Sequence, residues 1–116
     1  MKSDTRRAVA YIAGRAISGK TASSVYDYDE GGHHNFSGSV SSDSANVYDY
    51  DSSCHIGGRL GSLYHYGHGS HLQLTLKGPK FDGFDYDESQ HFSGTVHGSS
   101  VTLFDYGTGT HYNYSL

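Results

Sequence analysis

The stretch VYDYDEGGHH, residues 25–34, is written five times along this chain. VYDYDSSCHI (47–56), LYHYGHGSHL (63–72), GFDYDESQHF (83–92) and LFDYGTGTHY (103–112) align with it without gaps. The shared rule is apolar or Gly, then Tyr or Phe, Asp or His, Tyr, Asp or Gly, a free position, Gly or Ser, a free position, His, and usually an apolar residue. The opening alternates aromatic, polar, aromatic. That period of two belongs to a β-strand, where successive side chains point to opposite faces. The Gly or Ser at the seventh position belongs to a turn.

Each copy therefore reads as a hairpin. A three-residue loop, Asp29–Gly31 in the first copy, puts the seventh position (Gly31, Ser53, Gly69, Ser89, Gly109) in the left-handed region where such loops end. It also sets the third position opposite the ninth: Asp27 with His33, Asp49 with His55, His65 with His71, Asp85 with His91, Asp105 with His111. Three-residue loops at 42–44, 60–62, 78–80 and 98–100 join the copies while keeping sidedness. This register places Gly38, Gly58 and Gly94 opposite Tyr48, Tyr64 and Phe104, rings that would cover the facing glycines.

The expected fold is all-β: about ten short antiparallel strands in an up-and-down meander, closed as a barrel, after one N-terminal helix. One sheet face carries Tyr26, Tyr28, Tyr48, Tyr50, Tyr64, Tyr66, Phe84, Tyr86, Phe104 and Tyr106. Phe36, Ile56, Leu72, Leu74, Phe92, Tyr112 and Tyr114 share that face, which is expected to fill the lumen; Cys54 also points inward. The Asp and His residues take the outer face. Ten strands enclose more space than ordinary side chains fill, and aromatic rings supply bulk. The rival architecture is a β-solenoid with a helical cap. It would stack Asp on Asp, which is unfavourable, and spacings of 22, 16, 20 and 20 residues between copies suit a coil poorly.

Residues 5–18, TRRAVAYIAGRAIS, put Val9, Ile12, Ala13, Ala16 and Ile17 on one helical stripe, with Gly19 as the stop. This helix is expected to pack on an end or face of the sheet. The chain divides into a basic segment, 1–20, with net charge +4, and a repeat domain, 21–116, with net charge −8. The basic helix either contacts an acidic partner or lies on the chain's own acidic body. The acidic repeat domain disfavours nucleic acid. No run is long and apolar enough for a transmembrane helix. Asp4 in the basic start and Arg15 soon after a short apolar run argue against a signal peptide and for a cytoplasmic protein.

With one cysteine there is no disulfide framework, and no phosphate-cradling loop precedes a helix. Acid–imidazole pairs recur evenly, whereas catalysis uses one exceptional place, so no catalytic residue or cofactor is assigned and an enzyme is not expected. The third copy is the exception among the pairs. There His65, His71, Asp87 and Asp85 are candidate ligands for zinc, nickel or copper, with His68 in the adjoining loop. The expected function is a non-enzymatic repeat protein acting by binding or self-assembly, possible as a homo-oligomer. The alternatives are a divalent-metal-binding module and a carbohydrate-binding module, the latter requiring the aromatic face outside.

Overall fold

The computed structural model describes residues 1–116. Helix α1 spans Ser3–Ser18, and ten strands follow: β1 Ser24–Asp27, β2 Gly32–Val40, β3 Ser44–Asp49, β4 Cys54–Arg59, β5 Leu63–His65, β6 Ser70–Lys77, β7 Lys80–Asp85, β8 Gln90–His97, β9 Ser100–Asp105 and β10 Thr110–Ser115. All neighbours pair antiparallel, and β1 pairs with β10 through Tyr26 opposite Ser115, which closes the barrel. The coil alternative is thereby excluded.

The helix lies inside the barrel. Ala8 to Ala13 are fully buried, and α1 meets β1, β2, β6, β8 and β9 around the wall. A helix buried on every side must be slim, and Ala8, Ala10, Ala13 and Gly14 make this one so. A Cβ on Gly14 would stand 2.9 Å from Val101 Cγ2. The expectation that α1 packs on an end or outer face of the sheet is corrected. Ten strands leave a lumen wider than side chains fill, and the slim helix fills it. Gly19 ends α1 at φ 71°, as the sequence predicts.

Sidedness divides the wall into two sets. On the even strands Phe36, Ile56, Leu72, Leu74, Phe92 and Tyr114 face inward as predicted. On every odd strand the prediction is reversed. Tyr28, Tyr50, Tyr66, Tyr86 and Tyr106 stand in solvent, while Asp27, Asp49, Asp85 and Asp105 are buried. The cause is one residue of register. The repeat loops hold four residues, so Asp27 pairs with Gly32 and Tyr26 with His33. The connections at the other end are correspondingly shorter, as in the pairing of Lys77 with Lys80 and of His97 with Ser100. The two errors cancel for even strands and turn every odd strand over. Inward on the odd strands are Val25, Val47, Leu63, Phe81, Val101 and Leu103.

The expected ring-on-glycine pairs shift with the register. Gly38 faces Val47, Tyr64 faces Gly57 rather than Gly58, and Gly94 faces Leu103 and Phe81. The device itself survives in the lumen, where the Phe81 ring occupies the space a side chain at Gly94 would need.

Candidate functional site

The Asp of the motif explains the four-residue loop. Asp27 Oδ1 accepts the N–H groups of Asp29 at 2.9 Å and Glu30 at 3.2 Å. Asp49 does the same for Asp51 and Ser52, Asp85 for Asp87, and Asp105 for Gly107. A side chain mimicking a backbone turn is what Asp does well in loops. Each loop ends in the left-handed region, at Gly31, Ser53, Gly69, Ser89 and Gly109, as the sequence predicts.

The buried carboxylates then meet the helix. Arg7 Nη2 lies 3.1 Å from Asp49 Oδ2, and Arg6 Nη1 lies 3.3 Å from Asp105 Oδ2. Lys2 Nζ lies 2.9 Å from Asp87. At the third copy the motif carries His65 instead of Asp, and there the helix presents Asp4. Charge is thus matched across the helix–wall interface at the second to fifth copies, through the loop residue Asp87 in the fourth. The basic segment lies against the chain's own acidic body, the second of the two placements read from the sequence. Asp85 has no cation this close; burial pushes its carboxyl above the usual range, against the N–H of Asp87, which pulls it down.

The predicted metal set does not converge. His65 faces the lumen opposite Ser70, whereas His71 faces solvent opposite Tyr64. Asp85 is buried, and Asp87 is held by Lys2. The correction follows from the same register shift, which puts His65 and His71 on opposite sides of the wall. The residues that do meet are Asp4, His65 and His68. The HxxH spacing of His65 and His68 was in view in the sequence; Asp4 was out of reach because nothing local told that the helix enters the barrel.

The outer wall repeats as regularly as the inner one. Each copy stacks two rings edge to face and sets a His against the first of them. Tyr48, Tyr50 and His55 form one such cluster, and Tyr64, Tyr66 and His71 another. Phe84 with Tyr86 and His91, Phe104 with Tyr106 and His111, and Tyr26 with Tyr28 and His33 complete the set. The five outer tyrosines are 55–64 % exposed and are the large hydrophobic side chains left in solvent.

Grooves run between successive clusters. One, of about 570 Å³, has His55, Asn46 and Ser52 on one side and Tyr66 on the other. Another, of about 400 Å³, lies between His71 and Tyr86 with Ser62, Ser70 and Gln73. A third, of about 530 Å³, lies between His91 and Tyr106 and includes Asp82, Gln73, Thr75 and Phe84. The pattern is an imidazole from one copy and an exposed ring from the next. The backbone fixes it: Tyr66, Tyr86 and Tyr106 donate their N–H groups to the carbonyls of His55, His71 and His91.

The fold and its wall define a class: a helix-filled, ten-stranded repeat barrel with ring-and-imidazole grooves outside. Comparison of the chain with protein-family models, with curated proteins and with solved structures returns no match. No helix is long and apolar enough to cross a membrane.

Proposed function

We propose that this chain is a non-enzymatic, multivalent binding protein whose outer-wall grooves take the rings of a carbohydrate. One observation carries the reading: five tyrosines, more than half exposed, recur at one position of the repeat, and three of them, Tyr66, Tyr86 and Tyr106, border polar grooves. The fold gains little from keeping such rings in water, because burial is what makes an aromatic side chain stabilising. A flat exposed ring covers one face of a sugar, and Asp82, Gln73, Thr75 and Ser93 beside it offer acceptors and donors for hydroxyls. The groove volumes fall in the range that small ligands occupy, about 300–1,000 Å³.

Catalysis is not supported. The buried carboxylates are engaged as loop caps and helix partners, and burial raises the Cys54 thiol above its usual range. Self-assembly through strand edges loses its basis, since closure pairs every strand on both sides. Assembly through the tyrosine wall is the competing outcome of the test. Titration of oligosaccharides of different sugar types, followed by two-dimensional NMR, is expected to shift the ring signals of Tyr66, Tyr86 and Tyr106. Tyr86→Ala and Tyr106→Ala should each weaken binding. A rise in mass with protein concentration that both variants abolish, without any sugar response, would replace carbohydrate with a second copy of the chain.

A further inference from the structure

The third copy breaks the motif's rule, and the break lies against the helix. His65 takes the inward position that Asp holds elsewhere, at 1 % exposure. His68 follows in the same loop, and the two rings stack with centroids 4.2 Å apart. From the first turn of α1, Asp4 reaches both: its Oδ2 is 2.8 Å from His68 Nε2 and 3.8 Å from His65 Nε2. The three donor atoms lie within 4.8 Å of one another. Nε2 of His65 is buried, aims into this cluster and has no hydrogen-bond partner.

We propose that Asp4, His65 and His68 form a site for one divalent transition-metal ion, zinc by donor type, that fastens the helix to the third hairpin. Two imidazoles and a carboxylate are a common protein donor set for zinc, with water as the fourth ligand. Ligand atoms on a tetrahedral ion with bonds of about 2.1 Å stand roughly 3.4 Å apart. The separations of 2.8 and 3.8 Å bracket that value. Asp4 and His68 are each 18 % exposed at the side chain, which leaves an approach from solvent and room for the water.

The surrounding charges do not block the site. Arg7 is held by Asp49 at 3.1 Å and by Ser52 Oγ at 2.9 Å, and Lys2 by Asp87 at 2.9 Å. Ser52 also donates to Asp4 Oδ2 at 3.3 Å and would orient the carboxylate behind the ion. Loading has one local cost. His65 Nδ1 accepts the His68 N–H at 3.3 Å, and a metal on Nε2 moves the ring proton to Nδ1. One long hydrogen bond is exchanged for a metal bond. The other metal-like grouping, Asp27, Glu30 and His34, has a single imidazole, and His34 is already bonded to Asp51.

The test uses the full chain without any histidine tag. Calorimetric titration with zinc is expected to give one ion per chain at micromolar affinity or tighter, and cobalt to give the visible bands of a four-coordinate ion. Removing a ligand should cost at least the tenfold that outer-shell changes cost. His68→Ala and Asp4→Asn should therefore each weaken zinc binding about tenfold or more and abolish the cobalt bands. His71→Ala, on the outer wall, should leave both unchanged. Because truncating buried His65 endangers the fold, the partly exposed His68 carries the test, with circular dichroism to verify folding. No micromolar binding, binding indifferent to His68→Ala and Asp4→Asn, or binding lost in His71→Ala would each overturn the proposal.

Discussion

Asp49 and Tyr50 are neighbours in the same motif, yet one is fully buried and the other is 55 % exposed. Inside the barrel, the polar residue at the third position of each motif has an identifiable task. It caps its own loop and, in most copies, meets an opposite charge on the helix. Outside, the rings touch the next ring and a His, and only long hydroxyl contacts, Tyr28 with Ser115 and Tyr106 with Ser93, add to that. The inner face is therefore bound to the fold, and the outer face is free to serve something else. Substitutions should separate the two faces by size of effect.

The largest effect belongs to the inner face. Arg7→Ala would leave Asp49 as a buried carboxylate without its cation. Such a loss costs about 3–5 kcal/mol, read as a lower midpoint in urea unfolding. The double variant Arg7→Ala, Asp49→Asn should recover much of it, because the uncompensated charge is gone while a loop acceptor remains. If Arg7→Ala unfolded like the parent, the helix–wall charge matching would be incidental.

Asp85 gives an intermediate effect with a pH signature. Its folded carboxyl titrates above the ordinary value of 3.8, and burial is the main cause. A raised value favours the protonated form in the folded state. That stabilising contribution is whole below the ordinary value and is lost as pH rises through the raised one. Asp85→Asn keeps an acceptor for the Asp87 N–H and cannot ionise. It should match the parent in acid and exceed it in stability at neutral pH. A variant less stable than the parent at neutral pH would show that the Asp85 charge is favourable after all.

The smallest effect is expected outside. Tyr86→Ala removes an exposed ring and its edge contact with Phe84, worth less than about 1.5 kcal/mol. Thermal unfolding should hardly register it, whereas ligand titration should. A loss comparable to that of Arg7→Ala would place the outer rings among the elements that hold the fold.

Much of the architecture was legible because it is written in repetition. Five copies with turn residues at one position gave ten strands and a closed wall, and the left-handed loop ends fell where the motif put them. The inward even-strand residues Phe36, Ile56, Leu72 and Phe92 were legible for the same reason. What misled was the apparent oil-like character of Tyr–x–Tyr. Val25 with Asp27 and Val47 with Asp49 offered a second inward set on the same strands, and a loop length of four rather than three selects it. Local sequence signals do not distinguish those lengths; the Asp-capped turn does, and its cap only makes sense once Asp is inside. The site at the third copy was half legible. His65 and His68 share a loop, but Asp4 joins them only because the lumen holds α1.

The enclosed helix also bears on the order of events in folding. The seam where Tyr26 pairs with Ser115 joins β1 and β10, the two strands most distant in sequence. Closing it carries the largest loop-closure cost, so the strands are expected to wrap α1 first and to join there late. In kinetic terms α1 is a mandrel rather than a plug. Amides at that seam should gain protection from hydrogen exchange after those of the hairpins, and earlier protection there would contradict the order.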